Sequence, residues 1–182
     1  MRNEDLPIEE KLSGAEVFRG ALVTVEHWRA ALPGDKIALR EIVCHPGAAA
    51  VVPVDDNGSV TLVWQYRIAT GRYVLEIPAG KKDGPEEDFL CCAKRELKEE
   101  TGLTADTWVP LTVIDTSPGF CSERIGLYLA TGLTAGDARP DEGEFLQIEK
   151  MPLDEAVARV MKGEITDAKT VAGLLMAREY LA

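Results

Sequence analysis

One charged segment, Pro85–Gly102, restricts the fold more than any other part of the chain, because it favours a helix between apolar, strand-like segments. A proline stands at the first helical position, acidic residues follow in the first turn, and Gly102 is placed to end the helix. On a helical wheel Leu90, Ala93 and Leu97 form an apolar stripe. We therefore predict one amphipathic helix that packs on a sheet.

The segments around this helix have strand-like patterns. Gly47–Val54 is an almost uninterrupted apolar run typical of a buried strand, and residues 15–43 alternate around a turn at Pro33–Asp35, which predicts an antiparallel hairpin. Two helical segments, Asp154–Lys162 and Asp167–Leu181, follow towards the carboxyl end. Together these strands and helices predict an α+β sandwich with a mixed sheet. We expect the chain to divide into an N-terminal β element at 1–45 and a main domain at 46–182.

The composition argues against several classes of protein. The 182 residues include 31 acidic and 20 basic ones, a formal net charge of −11 that disfavours non-specific nucleic-acid binding. No stretch approaches the roughly 18–20 apolar residues that span a bilayer, and the charged first residues do not resemble a signal peptide. Four cysteines without a C-x-x-C pair indicate neither a disulfide framework nor a zinc site. We expect a cytoplasmic protein without nucleic-acid or membrane partners.

Three carboxylates lie close together on the predicted helix. Glu96 and Glu100 are four residues apart and border the apolar stripe, and Glu99 lies three residues from Glu96. Like charges at this spacing destabilise a helix by a few tenths of a kcal/mol unless something compensates them. Clustered carboxylate oxygens suit Mg²⁺ or Mn²⁺, hard cations that also bridge to phosphates. A solvated acidic face, with Arg95 beside Glu99, is the alternative interpretation.

The order of residues in this region resembles the Nudix box, G-x5-E-x7-R-E-U-x-E-E-x-G-U, in which U is aliphatic. Gly80, Glu87 and Arg95–Leu103 carry the resemblance, with one extra residue in the loop Lys82–Pro85. LEIPAGK, the proline at position 118 and the ending GEITDAKTVAGLLMA are similar to the branch that acts on ADP-ribose and other nucleoside diphosphate sugars. The resemblance implies a Nudix-type α/β/α sandwich with a mixed sheet over 46–182, preceded by an antiparallel β element.

The resemblance also assigns roles to single residues. Glu96, Glu99, Glu100 and the backbone carbonyl of Ala79 match metal ligands for Mg²⁺ or Mn²⁺, and Glu99 alternatively anchors Arg95. The catalytic candidates are Glu99 and a general base from an acidic loop, Glu144, with Glu142 as second choice. The candidate substrate contacts lie on strands and loops around the implied site: Arg40, Glu41, Arg67, Ser117, Gly119 and Glu123. Ordinary surface charges and turn residues are the alternative interpretation for each of them.

The function that the resemblance implies is Mg²⁺-dependent hydrolysis of the pyrophosphate bond in a nucleoside diphosphate sugar. ADP-ribose, giving AMP and ribose 5-phosphate, is the first candidate substrate, and GDP-mannose is the next. Relatives of this kind are homodimers whose N-terminal strands cross to the partner. Two alternatives stay open: a catalytically silent nucleotide-sugar sensor, and a Nudix enzyme for nucleoside triphosphates or dinucleoside polyphosphates.

Overall fold

The order of strands and helices follows the predicted pattern closely. A computed structural model describes residues 6–84, 86–139 and 145–182. In chain order its elements are β1 Glu10–Arg19, β2 Thr24–Leu32, β3 Lys36–Cys44, β4 Ala48–Pro53, β5 Ser59–Arg67, β6 Arg72–Glu76, β7 Ala79–Lys81, α1 Phe89–Thr101, β8 Thr104–Asp115, β9 Arg124–Thr134, β10 Gln147–Pro152, α2 Leu153–Met161 and α3 Ala168–Leu181. Among the described helices, none has the length and apolar character needed to cross a bilayer.

Backbone contacts divide the chain into two units. The first, Met1–His45 with Asp115–Glu123, contains the antiparallel sheet β1-β2-β3. The second, Pro46–Ile114 with Arg124–Ala182, contains the sheets β10-β5-β6 and β7-β4-β9-β8 and the helices. The predicted N-terminal hairpin was incomplete, because the N–H of Gly20 donates to the carbonyl of Val23 at 2.9 Å and turns the chain. The residues before this turn form a third strand, β1.

Strand β4 lies inside the second unit with all six residues buried, which confirms the buried strand predicted from its apolar run. It pairs parallel with β9 and antiparallel with β7. Because successive side chains point to opposite faces, Ala49 and Val51 pack with α1, whereas Ala50 and Val52 pack in the cluster that contains Leu174 of α3. Helices therefore cover both faces of a mixed sheet, and the predicted α+β sandwich is confirmed.

Helix α1 begins at Phe89, later than the predicted start at Pro85, and its first turn holds no acidic residue. Asp88 is the cap instead, because its side chain accepts a hydrogen bond from the N–H of Cys91 at 2.8 Å. Gly102 ends the helix with φ 73° and donates to the carbonyl of Lys98, as its position predicted.

The buried stripe of α1 also differs from the predicted one. Cys92 accompanies Ala93 and Leu97 among the buried residues, whereas Leu90 is only half-buried. The reason is that the side of the helix with Cys92 faces β7, where the thiol of Cys92 donates to the carbonyl of Gly80 at 3.4 Å. Glu96 and Glu100 lie on the same side of the helix and therefore also face the strand.

Candidate active site

Helix α1 and strand β7 bring two buried carboxylates to one stretch of backbone. Glu96 is 9% exposed and Glu100 is 5% exposed. The N–H of Ala79 donates to Oε2 of Glu100 at 3.2 Å. The Glu96 carboxylate lies so close to Gly80 that a Cβ atom there would overlap it. Three of the predicted metal ligands, Ala79, Glu96 and Glu100, are therefore neighbours.

Arg95 connects the third carboxylate to this pair. Its Nη1 donates to Oε1 of Glu96 at 2.6 Å and to Oε2 of Glu99 at 3.1 Å. Its Nη2 donates to the carbonyl of Lys81 at 2.9 Å and to Glu87 at 3.3 Å. Glu99 thus contacts Arg95 in this arrangement, and its role as a metal ligand remains a prediction.

The charges of this cluster stabilise one another. Partial burial disfavours the charged guanidinium, but hydrogen bonds and charges from Glu87, Glu96 and Glu99 outweigh this effect and raise the pKa of Arg95 above its ordinary value. In turn, the hydrogen bond from Arg95 lowers the pKa of Glu87 below its ordinary value of 4.5. Arg95 is therefore a permanent cation among anions at neutral pH.

The donors present fit a hard divalent cation. Within the described ranges, no group of three His, Cys, Asp or Glu side chains is already arranged as a metal site. Instead, Nη1 of Arg95 lies between the carboxylates of Glu96 and Glu99 and donates to both. The atoms beside β7 are carboxylate and backbone oxygens, which Mg²⁺ and Mn²⁺ prefer. Burial raises the pKa of the nearby Cys92 thiol to about 12, so it offers no thiolate for a softer metal.

Arg67, a predicted substrate contact, ends β5 and is paired with a residue that sequence reasoning missed. Its Nε and Nη2 donate to the carboxylate of Glu76 at 2.7 and 2.8 Å. Lys169 of α3 donates to the same carboxylate and, at 3.1 Å, to Asp167. Both residues stand in motifs that were visible in the sequence, Glu76 in LEIPAGK and Lys169 in GEITDAKT. The sequence analysis assigned neither residue a role.

Glu76 remains charged although only 2% of it is exposed. Burial raises the pKa of Glu76, but the hydrogen bonds and positive charges of Arg67 and Lys169 outweigh burial, so its pKa lies below the ordinary value. The hydrogen bond to Glu76 also raises the pKa of Arg67, to which the charges of Asp167 and Glu100 contribute. Arg67 is therefore within electrostatic reach of a predicted metal ligand.

Two further predicted substrate contacts, Arg40 and Glu41, lie on β3 in the first unit. Arg40 makes two hydrogen bonds to Glu9, at 2.9 and 2.7 Å. Glu41 lies 3.6 Å from Nε2 of His27 on β2. Trp28, also on β2, donates to Glu26 at 2.6 Å, and the ammonium group of Lys11 lies over its ring. These contacts hold Arg40, Glu41 and Trp28 within the sheet.

The loop that carries Ser117, Gly119 and Glu123 is attached to the end of β3 in the same unit. The N–H of Val43 donates to the carbonyl of Phe120 at 2.7 Å, and Nδ1 of His45 lies 3.4 Å from Oε1 of Glu123. The carbonyl of Ser117 accepts two backbone hydrogen bonds from within the loop, whereas a Cβ at Gly119 would have nothing within 4 Å. The structure thus groups these three residues near β3.

A cavity of about 580 Å³ lies beside the exposed side of α1 and is lined by Arg95, Lys98, Glu99, Asp137 and Arg139. The N–H of Arg139 donates to the carbonyl of Glu99 at 2.8 Å, which holds the segment 136–139 against the helix. The predicted general base Glu144 and its alternative Glu142 follow this segment and lie outside the described residues. Of the three carboxylates of α1, Glu99 therefore has a cleft beside it.

Buried carboxylates on a helix that packs on a mixed sheet, with an arginine beside them, are groups of the kind that bind divalent cations and phosphate. The family profile of the NUDIX domain matches residues 45–174. The chain belongs to the Nudix family.

Two curated relatives and one solved structure extend the comparison. The ADP-ribose pyrophosphatase of Mycobacterium tuberculosis is 40% identical over 169 residues, which cover 91% of this chain and 81% of the relative. The ADP-ribose pyrophosphatase of Bacillus subtilis is 39% identical over 166 residues, with 90% and 89% covered. A crystal structure of an ADP compounds hydrolase superposes with a TM-score of 0.81 at 27% identity, covering 96% of this chain and 94% of that one.

Proposed function

We propose that this protein hydrolyses the pyrophosphate bond of nucleoside diphosphate sugars, with ADP-ribose as the first substrate, and that it uses Mg²⁺. The observation that carries the proposal is the convergence of Glu96 and Glu100 on the Ala79–Gly80 backbone. The two relatives named as ADP-ribose pyrophosphatases support the choice of substrate.

In this proposal the side chains of Glu96 and Glu100, with the carbonyl of Ala79, would hold the divalent cation. The chemistry it would supply there is neutralisation of phosphate charge and acidification of water. Glu99 completes the anionic cluster, either as a further ligand or as the anchor of the Arg95 cation. Burial of these groups strengthens their electrostatic interactions with the substrate.

Glu144 is our proposed general base, which accepts the proton of the attacking water, and Glu142 is the second choice. Arg67 is the proposed partner of a substrate phosphate, because a guanidinium can donate two parallel hydrogen bonds to phosphate oxygens. Arg40 and Glu41 are the proposed nucleobase contacts, and Ser117, Gly119 and Glu123 the proposed contacts around the sugar.

A second copy of the chain is the proposed partner of the N-terminal sheet. Every residue of β1 is exposed. Apolar side chains on β1 and β3 are more than half exposed, namely Leu12, Phe18, Ile37 and Leu39. Exposed apolar patches of this kind mark interaction surfaces, and a small sheet gains stability by covering them. We also propose a cytoplasmic location, which the free cysteines of the chain support.

A substrate panel tests the proposal. The purified protein is assayed with ADP-ribose, GDP-mannose, UDP-glucose, a dinucleoside polyphosphate and nucleoside triphosphates, with Mg²⁺ and with EDTA. We expect ADP-ribose to give AMP and ribose 5-phosphate only when Mg²⁺ is present. Preference for nucleoside triphosphates or dinucleoside polyphosphates would favour that alternative, and binding without turnover of any substrate would favour the sensor.

A further inference from the structure

Side chains from three elements meet at one buried carboxylate in the second unit. Glu76 lies at the end of β6, Arg67 at the end of β5 and Lys169 in the first turn of α3. The side chain of Glu76 is 3% exposed and that of Lys169 is 11% exposed. Burying charged groups costs free energy unless they are paired. Stability alone would therefore be served as well by apolar side chains at these positions, so the charged network calls for another explanation.

The orientation of Arg67 leaves part of its guanidinium available to a ligand. Glu76 accepts hydrogen bonds from Nε and Nη2 of Arg67, along one edge of the planar group. Nη1 makes no hydrogen bond within the described part of the chain, and the side chain is 42% exposed. A guanidinium has five N–H donors, so the Nη1–Nη2 edge can still donate two hydrogen bonds to a phosphate.

Lys169 is held in place by the start of its own helix. Asp167 caps α3 by accepting hydrogen bonds from the N–H of Thr170 at 3.0 Å and from its Oγ1 at 2.6 Å, and it also accepts one from Lys169 at 3.1 Å. Oγ1 of Thr170 accepts a hydrogen bond from the N–H of Ile77 at 2.9 Å. Helix α3 is thus tied to the strand end that leads from Glu76 to Ala79.

The charges in this network balance only while Lys169 is present. Arg67 and Lys169 are positive, and Glu76 and Asp167 are negative, so the four formal charges sum to zero. Without Lys169, the sum becomes negative beside the arginine, and Glu76 loses the partner that fixes one of its oxygens. Both changes would weaken the attraction of Arg67 for an anion.

We propose that Lys169, acting through Glu76, is a positioning residue that directs the free edge of Arg67 at the diphosphate of the substrate. This inference rests on the proposed function and deepens it. The C-terminal helix α3 then contributes to substrate binding without touching the substrate. The competing interpretation is that the network only joins α3 to the sheet.

The direct test is binding of α,β-methylene ADP-ribose, which cannot be hydrolysed at the bridging position, measured by calorimetry in EDTA. We expect Lys169→Met to weaken binding about tenfold, in line with the loss of one well-placed charged hydrogen-bonding group. Lys169→Arg, which retains the charge, should bind nearly as the wild type does. Lys150→Met is the matched control, since Lys150 pairs with Asp55 and is not part of the network. Equal binding by Lys169→Met and the wild type would overturn the inference.

Glu76→Gln separates positioning from simple electrostatics. This variant makes the network more positive, so electrostatics alone predicts tighter binding of the analogue. We expect weaker binding instead, because the carboxamide replaces one of the two acceptor oxygens by an NH2 group, which cannot accept a hydrogen bond from Arg67. Tighter binding would contradict a positioning role.

A double-mutant cycle with Arg67→Met decides whether Lys169 acts through the arginine. If it does, Lys169→Met has little further effect on binding in the Arg67→Met background; additive losses would overturn the inference. Circular dichroism and thermal melts restrict the comparison to folded variants, and the weaker binding expected of Glu76→Gln provides the test if Lys169→Met does not fold. A wild-type protein that neither binds nor hydrolyses any nucleoside diphosphate sugar would refute the proposed function itself, which is a different result.

Discussion

The carboxylate of Glu96 occupies the space that a Cβ atom on Gly80 would need. Gly80 has no positive φ that would require a glycine, so close approach of the helix is the reason for glycine at this position. The relationship links the first residue of the sequence motif to one of its metal-ligand candidates across α1 and β7.

We expect Gly80→Ala to reduce kcat by at least about tenfold, because the new methyl group must displace the Glu96 carboxylate, and small misplacements at a reacting centre are costly. The melting temperature should change little, since the end of a glutamate side chain can move. Steady-state kinetics and thermal melts measure the two effects. Gly84→Ala is the control, because a Cβ at Gly84 meets nothing within 4 Å. An unchanged kcat in Gly80→Ala would contradict the placement of Glu96 in the site.

Glu100→Gln should lower kcat/KM by about 100-fold or more, because it removes an anionic metal ligand while keeping the size of the side chain. The carboxamide oxygen can still accept the hydrogen bond from Ala79, so the fold should be retained. Kinetics across a Mg²⁺ titration and circular dichroism check both expectations. Glu179→Gln, an exposed glutamate on α3, should behave as the wild type. Near-normal turnover in Glu100→Gln, or wild-type turnover that persists in EDTA, would refute the metal assignment.

Gly102→Ala should destabilise the protein more than Gly163→Ala does. Both glycines have positive φ, 73° and 74°, which costs an alanine about 1 kcal/mol. A Cβ at Gly163 meets nothing within 4 Å, whereas one at Gly102 would collide with the backbone of Gly136 and Asp137. We expect the free energy of unfolding to fall by about 1 kcal/mol for Gly163→Ala and at least about 2 kcal/mol for Gly102→Ala in urea titrations. Equal losses would mean that the segment after β9 does not pack on the end of α1.

The contribution of Glu76 to stability should disappear in acid. Its pKa is lower in the folded protein than its ordinary value of 4.5, so the unfolded chain takes up the proton first as the pH falls. The stabilisation is therefore present above pH 4.5 and lost as the pH falls through the lower, folded value. We expect Glu76→Gln to cost about 2 kcal/mol at pH 7 and progressively less as the pH falls below 4.5, measured by urea unfolding at each pH. A difference that does not depend on pH would contradict a charged Glu76.

Replacing Ile37 and Leu39 together by lysine should convert a dimer into a monomer, because it places charge on the exposed apolar surface of β3. Light scattering coupled to size-exclusion chromatography gives the mass directly. Ile68→Lys is the control: Ile68 is 88% exposed but belongs to the other unit. A monomeric wild type, or a dimer that resists the double substitution, would refute the proposed interface.

The amino-acid sequence by itself determined most of the strands and helices, and it determined which side chains of α1 are candidate metal ligands. The apolar run of β4 predicts a buried strand because only a sheet covered on both faces can bury six consecutive residues. The spacing of Glu96 and Glu100 places both on one side of a helix, and the residue order around them resembles a single family. These are local properties, which periodicity and spacing record directly.

Only the tertiary structure decided which distant residues meet. Lys169 contacts Glu76 across 93 positions of sequence, and no local pattern encodes such a contact. The start of α1 depended on the cap that Asp88 provides, which moved it from the predicted first residue Pro85 to Phe89, and the buried stripe depended on how the helix meets β7. The third N-terminal strand depended on a turn at Gly20. Each of these outcomes follows from packing and hydrogen bonds between separate elements, and a one-dimensional pattern constrains those interactions only weakly.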